Sequence, residues 1–424
     1  MNEQSEPLIN ITRRHALFFA GFLVLYEFLT YIANDMIMPG MLYVIKTFQA
    51  STSMVAYSLM LYVLGGSSLQ IILGPLSDRY GRRIVMLTGA ILFVIFTIFL
   101  ECSVSMQQFL WGRFFEGMGL CFISVVGYAV LQEIFAELDA VRLIAIMGNV
   151  AILAPLFGPL LGALLLQHMH WRWIFVIIAS AGVLALWGLW RYMPESVGAL
   201  RRDGKRIHAA PLSLRHAIVN YKRVLSNIPF IWGVLAYGLL GIPCIAWIAL
   251  SPIFIVTNAH LSLLTYAYWQ IPVFTAFIVG NFALTYLTRY LTLVQLMRCG
   301  AIIVFFSLFL MFACSFWYQK SFLTLLPGLI LYCFGYSLVA TPLNRWILFL
   351  NTISKGTVSA VICLTSLGMQ SLGIAVINAY DPQHSHVIYA EYCICIGILF
   401  IICIQLGLNA SSSEQKQVVQ PSDH

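Results

Sequence analysis

The sequence predicts an all-α membrane protein with twelve transmembrane helices in two halves of six. Three observations predict this fold: the composition, the spacing of the apolar segments and the placement of the basic residues. Of the 424 residues, 61% are hydrophobic and only 9% are charged, whereas a soluble domain carries roughly a quarter charged residues. A soluble fold of this length cannot bury so much apolar surface, so the composition excludes the soluble classes.

A membrane-spanning helix needs about 20 mostly apolar residues, and the chain contains twelve such segments. We predict spans at 16–38, 52–74, 83–102, 107–131, 142–167, 171–193, 228–256, 262–288, 293–315, 322–349, 356–379 and 387–408. The longest polar stretch, 194–227, separates an N-terminal half, 1–193, from a C-terminal half, 228–408. Two six-helix halves joined by a basic loop are typical of transporters built from repeats. The polar tail 409–424 is predicted to be disordered and cytoplasmic.

Lys and Arg side chains concentrate in the loops of one side of this arrangement. With the N-terminus inside, the opposite face keeps only Lys46, Arg172 and Lys320. This asymmetry predicts a multi-pass protein of the inner (cytoplasmic) membrane with both termini in the cytoplasm. The net charge of +7 is scattered among these loops, so it does not indicate nucleic-acid binding. The expected partners are the lipid bilayer, small-molecule substrates and protons, and we expect a monomer.

The loop after the second span carries a recognisable pattern, GPLSDRYGRR. Glycines at both ends allow a tight turn, and the aspartate is placed to pair with an arginine or to face a helix N-terminus. The pattern resembles the signature loop of the major facilitator superfamily. That resemblance implies a conformational latch between the two halves, and therefore gating rather than substrate recognition. The residues that carry it are Gly74, Asp78, Arg79, Gly81, Arg82 and Arg83.

An arginine lies inside the fourth span, in the segment Arg113-Phe-Phe-Glu116-Gly117. A charged residue at that depth marks a functional site with a partner nearby. Arg113 and Glu116 are three residues apart, so they can neutralise each other on one helix face. The segment resembles the superfamily's R-x-x-Q-G element, which implies a role for Arg113 in proton coupling. Glu116 departs from that element, and its role, functional or only structural, stays open.

The fifth span contains two prolines and two glycines in a short stretch, Pro155, Gly158, Pro159 and Gly162. Glycines four apart form a face against which another helix packs closely, and the prolines remove backbone donors and bend the helix. The stretch resembles the G-P-x-x-G core of the motif found in antiporters of the superfamily. The resemblance favours export over import.

The first span carries two carboxylates within the apolar stretch LYEFLTYIANDMIMPGM. Glu27, Tyr31 and Asn34 form one stripe of the helix, with Asp35 about 80° around it and two turns from Glu27. Such groups are expected to face an interior cavity, because lipid would leave them unsatisfied. The span contains no basic residue, and a buried carboxylate without a cation can exchange protons near neutral pH. We therefore predict that these groups exchange protons or hold a cationic substrate.

The same stretch resembles the first span of the MdfA branch of multidrug:proton antiporters, and the resemblance covers almost the whole chain. It extends through the segments 127–133, 147–155, 246–253, 270–281 and 354–360. It implies that Asp35 and Glu27 bind proton and substrate, that Arg113 supports coupling, and that the proton gradient supplies the energy without any cofactor or metal. The substrate-binding residues it implies are Glu27, Tyr31, Asn34, Asp35, Tyr128, Met147, Asn149, Ile245, Gln270 and Met369.

The predicted function is a proton-coupled secondary antiporter that exports lipophilic cationic and neutral compounds. Two alternatives share the fold: an exporter dedicated to one metabolite or siderophore, and a nutrient importer. An intramembrane enzyme would need a constellation such as D-D-x-x-D or H-E-x-x-H, and a channel would need a repeated filter loop. The sequence contains neither, so we predict a transporter and not an enzyme.

Overall fold

The computed structural model describes residues 11–198, 214–319, 321–351, 355–380 and 385–419. These residues are almost entirely helical, and no strand occurs among them. Eleven of their helices are long and apolar enough to cross a membrane, and one bent pair passes the same test as a twelfth span. The prediction of an all-α membrane protein is confirmed.

We number the spans α1 to α12 in chain order. The first six are α1 Arg13–Thr47, α2 Ser53–Ser68 with Gln70–Tyr80, α3 Arg82–Glu101, α4 Met106–Ile134, α5 Glu137–Leu166 and α6 Arg172–Tyr192. The last six are α7 Ile228–Asn258, α8 Leu263–Leu287, α9 Leu293–Trp317, α10 Phe322–Phe349, α11 Lys355–Ala379 and α12 His386–Val419. A shorter helix, Leu214–Leu225, precedes α7. The predicted spans fall on these helices one for one.

The first helix is longer than predicted. A single 3₁₀ turn, Met38–Gly40, joins its two α-helical parts, Arg13–Ile37 and Met41–Thr47. Pro39 does not end the helix, because a proline near the start of a helical segment lacks only an N–H that has no partner there anyway. Asp35 therefore lies well inside the helix and not near its end.

The second helix bends by 42° between Ser68 and Gln70. Two carbonyl groups just before the bend accept hydrogen bonds from side chains. The Ser68 hydroxyl donates to the carbonyl of Gly65 (2.7 Å), and the Cys121 thiol donates to that of Gly66 (2.9 Å). Side chains that insert into the backbone ladder are a common cause of such kinks. The second span is therefore bent rather than continuous.

The fourth helix is also irregular. A π-helical turn, Ile123–Gly127, interrupts it directly before Tyr128. A π turn inserts an extra residue and so rotates the positions that follow it relative to a regular helix. The direction of the Tyr128 side chain depends on this turn.

The last helix corrects the prediction of a disordered tail after residue 408. α12 continues as helix to Val419. No glycine or proline lies between Asn409 and Val419, and the alanine, glutamate, glutamine and lysine of this stretch have good helix propensity. A polar composition therefore does not by itself end this helix. Residues 420–424 lie outside the described residues.

The chain divides into two compact units. One comprises Met1–Leu214 and Leu263–Tyr268, and the other comprises Arg215–Ser262 and Trp269–His424. The main division falls inside the polar segment 194–227. The two carboxylates of α1, the signature pattern and the glycines of α5 all belong to the first unit.

Candidate functional site

Glu27 is buried in the first unit and is held by one hydrogen bond. Its Oε1 accepts a hydrogen bond of 2.7 Å from the Tyr128 hydroxyl on α4. Its Oε2 is buried without a hydrogen-bond partner among the described residues. Most buried polar atoms in proteins have a partner, so this oxygen is available to a proton or to a cationic ligand.

Asp35 is buried and connects to Arg113 through Asn34. The Asn34 amide nitrogen donates to Asp35 Oδ1 (3.1 Å), and Arg113 Nη2 donates to Asn34 Oδ1 (2.5 Å). The prediction that Asp35 is buried without a nearby cation is therefore wrong, because the Arg113 guanidinium of α4 lies one side chain away from it. Tertiary packing supplies the charge that the span itself lacks.

Arg113 forms its ion pair with Glu116 and not with Asp35. Arg113 Nη1 lies 2.6 Å from Glu116 Oε2, and both side chains are fully buried. Thr97 of α3 donates to the other carboxylate oxygen (3.0 Å), and the guanidinium carbon lies 4.3 Å from the centre of the Tyr62 ring. The pairing that the i, i+3 spacing predicted is present. Because Glu116 balances the guanidinium charge, the carboxylate of Asp35 is left only partly compensated.

The antiporter-motif glycines of α5 lie directly against α1. A Cβ atom at Gly158 would come within 2.7 Å of the Asp35 Cβ, and one at Gly162 would come within 2.0 Å of the Met36 carbonyl oxygen. Neither position admits a larger side chain without moving a helix. The small-residue face predicted for this span therefore packs on the helix turn that carries Asp35.

Most of the signature pattern is helical, because α2 continues through Asp78 to Tyr80. The turn is confined to Gly81, whose φ of 104° favours glycine. Asp78 pairs with Arg82 (3.1 Å), which is the first of the two placements that were predicted for it. At the other end of the pattern, a Cβ at Gly74 would contact only Val125 Cγ1, at 3.9 Å. The backbone conformation therefore requires glycine at position 81, whereas the surroundings of Gly74 leave room for a Cβ atom.

Two carboxylates at this end of the unit were not predicted to take part. Arg82 Nε forms a second ion pair, with Glu133 of α4 (2.8 Å). Glu195, just after α6, accepts hydrogen bonds from the backbone N–H groups of Arg82 and Arg83 (3.0 and 3.2 Å). A carboxylate is favourable at a helix N-terminus, where the N–H groups are unpaired and the helix dipole is positive. The sequence shows an acidic residue directly after α6, but it gives no sign of the partner, because Glu195 and Arg83 are 112 positions apart.

The other predicted substrate-binding residues lie in different units. Tyr31 is half-buried and Met147 is buried in the first unit, and the side chain of Asn149 lies outside the described residues. Ile245 and Met369 are half-buried in the second unit. The roles of these residues stay predictions.

Gln270 belongs to a buried polar cluster of the second unit. Its amide oxygen accepts from the Trp247 indole (2.8 Å), and its amide nitrogen donates to the Ser251 hydroxyl (3.1 Å). The cluster joins α7 to α8. This amide is already satisfied within the second unit, so contact with a substrate would require its hydrogen bonds to rearrange.

Among the described residues, no group of three or more His, Cys, Asp or Glu side chains could hold a metal ion. The carboxylates of the first unit instead lie among a phenol, an amide and a guanidinium. This is a hydrogen-bonding environment and not a set of metal ligands.

Comparison with known proteins identifies related transporters. The chain matches the Major Facilitator Superfamily over residues 23–378. It is 42% identical over 374 residues to the multidrug transporter MdfA of Yersinia pestis bv. Antiqua, covering 88% of this chain and 89% of that protein. It is 41% identical over 363 residues to the protein of the same name from Escherichia coli O6:H1, covering 86% and 87%.

Solved structures show the same fold at low sequence identity. A bacterial homologue of the human lysosomal transporter Spinster superposes with a TM-score of 0.69 at 14% identity, covering 98% of this chain and 100% of that one. The xylose transporter XylE from E. coli also gives 0.69, at 15% identity, covering 92% and 97%. The match over residues 23–378, the twelve spans and the close relatives lead to one conclusion: the chain belongs to the major facilitator superfamily.

Proposed function

We propose that this transporter exports lipophilic cationic and neutral compounds in exchange for protons. The observation that carries the proposal is the pair of buried carboxylates on α1, Glu27 and Asp35, in a chain 42% identical to proteins named multidrug transporters. Buried ionisable groups in a membrane-spanning helix are rare and generally functional. The relatives of this chain are transporters and not enzymes, so a catalytic role for these carboxylates is excluded.

The arrangement of hydrogen bonds suggests how protons and substrate share these groups. Protonation of Asp35 leaves a balanced Arg113–Glu116 ion pair, whereas ionised Asp35 adds a second negative charge that the one guanidinium compensates only in part. Glu27 has one oxygen held by Tyr128 and one oxygen unpaired. A lipophilic cation is expected to favour the ionised carboxylates and so to displace protons, while a neutral compound binds without that attraction.

The pattern at the end of α2 is proposed to act as a conformational latch. Asp78, Arg82 and Glu133 form a charged chain there, with Glu195 on the adjoining helix N-terminus. Such a network contains several partners that can be exchanged between two conformations, so its rupture or formation can bias a two-state equilibrium. Its location on α2, α3, α4 and the end of α6 supports a role in gating rather than in binding.

The orientation is proposed from the basic loops. Both termini lie in the cytoplasm, and the membrane is the inner membrane. In that orientation the latch lies on the cytoplasmic side. Separately, we propose that the protein works as a monomer.

The test is substrate-stimulated proton movement in proteoliposomes. Purified protein is reconstituted with a pH-sensitive dye inside, and single compounds are added from a panel of lipophilic cations, neutral antibiotics and hydrophilic nutrients. We expect the lipophilic members of both charge classes to drive proton flux and the nutrients to drive none. Flux with one metabolite alone would support a dedicated exporter, and flux in the direction of co-transport would support an importer. Either result would overturn the proposal.

A further inference from the structure

The second unit has a groove on its surface between α11 and α12, with α7 as its floor. The groove has a volume of about 500 Å³. It exists because α11 and α12 each pack along α7 but make few contacts with one another. Gly373 of α11 lies so close to α7 that a Cβ atom there would come within 2.7 Å of an Ile242 methyl carbon. A hydrogen bond crosses between α11 and α12, from the Tyr392 hydroxyl to the Gly373 carbonyl (3.0 Å).

The groove is apolar and open along its side. Its walls include Leu372, Val376 and Leu399, whose exposed fractions are 64%, 38% and 48%. Drug-sized ligands usually bury about 70–90% of their surface in a pocket, and a groove with such open walls does not enclose one. An acyl chain has no such requirement, because its uncovered side contacts other acyl chains. The shape therefore favours a lipid over a compact solute.

Two exposed polar side chains lie toward one end of the groove. Tyr380 is 69% exposed at the end of α11, and Glu391 is exposed one turn into α12. Glu391 is the only charged side chain among the described residues that line the groove, and none of them is basic. From Glu391 to Leu399 the groove extends about 12 Å along the helix. It thus pairs a polar mouth with an apolar channel.

The chemistry of the mouth selects among lipid headgroups. A carboxylate pairs with an ammonium group through a charge-assisted hydrogen bond, and a tyrosine hydroxyl donates to a phosphate oxygen. An anionic headgroup would bring its phosphate to Glu391 without any lysine or arginine from the groove to compensate it. A zwitterionic headgroup that carries both an ammonium and a phosphate satisfies both side chains.

We propose that this groove binds one molecule of phosphatidylethanolamine. An acyl chain lies between α11 and α12 over α7, the ammonium group pairs with Glu391, and the phosphate accepts a hydrogen bond from Tyr380. In the proposed orientation the mouth lies on the side opposite the termini, so the lipid belongs to the outer leaflet. It holds apart two helices that contact each other little.

The test is lipid binding to the purified full-length chain, measured by native mass spectrometry. Phosphatidylethanolamine and phosphatidylglycerol with identical acyl chains are titrated in parallel. We expect one phosphatidylethanolamine to be retained, with an affinity about tenfold higher than that of phosphatidylglycerol. This ratio corresponds to the free energy of one charge-assisted hydrogen bond. Glu391→Gln should abolish the preference, whereas Glu101→Gln, at the end of α3 and outside the groove, should leave it unchanged.

The apolar channel is tested by filling it. Val376→Trp and, independently on the opposite wall, Leu399→Trp should lower retention of both lipids. Ile402→Trp is the matched control, since it is also on α12 and 48% exposed but does not line the groove. Its lipid binding should equal that of the wild type.

Three results would overturn the proposal. The first is equal retention of the two lipids by the wild type, and the second is a preference that survives in Glu391→Gln. The third is Glu391-dependent binding of tetraphenylphosphonium without any binding of phosphatidylethanolamine, which would make the groove a site for cationic substrates. Because the measurement involves no transport, its outcome is independent of the antiport proposed above.

Discussion

At the scale of single residues, the two carboxylates of α1 differ in their hydrogen-bond partners. Asp35 is linked through Asn34 to the Arg113–Glu116 pair, while Glu27 contacts a phenol and has an unpaired oxygen. One carboxylate is therefore tied to a fixed cation, and the other is free to respond to an added one. We expect different consequences when each is neutralised.

Neutralising Asp35 should remove the proton carrier. In Asp35→Asn we expect uphill export to be abolished, because the side chain can no longer exchange a proton. Some substrate binding should remain, because the amide oxygen at position 35 can still accept the hydrogen bond from Asn34. The measurement is proton release on addition of a lipophilic cation to detergent-solubilised protein. Wild-type release together with full export in Asp35→Asn would refute the proton-carrier role.

Neutralising Glu27 should act selectively by substrate charge. Glu27→Gln keeps a hydrogen-bond acceptor for Tyr128 but removes the negative charge, so we expect weaker binding of cations, by about tenfold for one lost ion pair. Neutral compounds should bind nearly as before. Binding titrations with one cationic and one neutral substrate test this, and an equal loss for both would show that Glu27 acts through structure alone.

At the scale of helices, close approach decides which residues meet. Gly158 and Gly162 bring α5 against the turn of α1 that carries Asp35. Gly65 and Gly117 do the same for α2 and α4, since a Cβ atom at either would lie within 2.1 Å of a carbonyl oxygen on the other helix. The hydrogen-bond network thus depends on glycines that carry no chemistry themselves.

Gly158→Ala should therefore impair transport through Asp35. The added methyl group must displace α1 or α5, at a cost of about 1–3 kcal/mol for overpacking, and should alter the proton-coupled step more than expression. Gly148→Ala is the matched control on the same helix, because a Cβ atom there meets nothing within 4 Å. Transport assays and thermal melting of both variants provide the comparison. Equal activity in the two would contradict the packing argument.

Asp78→Ala should weaken the proposed latch without affecting the binding site. We expect a strong loss of transport with nearly unchanged substrate affinity, because Asp78 pairs with Arg82 at the end of α2 and makes no contact with Glu27 or Asp35. Asp139→Ala, which breaks an exposed ion pair with Arg142 elsewhere in the unit, should transport normally. If affinity fell in step with transport in Asp78→Ala, the residue would belong to the binding site.

At the scale of the whole molecule, the distribution of basic residues predicts the topology. Reporter fusions after Gly204 and after Gln417 should both report the cytoplasm, and a fusion near Gln107 should report the opposite side, because short basic loops are retained inside. An even number of spans in each half requires this result. A signal from the outer side after Gly204 would contradict twelve spans with an inside N-terminus.

The sequence by itself determined the class, the number of spans and most helix ends. Apolar length and basic loops are local properties, and the bilayer imposes them segment by segment. The pairing of Arg113 with Glu116 and of Asp78 with Arg82 was also predictable, because residues three or four apart on a helix are neighbours.

Only the tertiary structure decided which helices meet and therefore which charges compensate one another. Arg113 reaches Asn34 across 79 positions of the chain, and Glu195 reaches the backbone of Arg82 across 113. The bend of α2 also involves a contact between helices, from the Cys121 thiol of α4 to the Gly66 carbonyl. Periodicity gives the face of a helix on which a side chain lies, but the partner on the next helix depends on crossing angle and register. Close glycine contacts help to set both. The local spacing of the glycines predicts a packing face but does not identify the helix that packs against it.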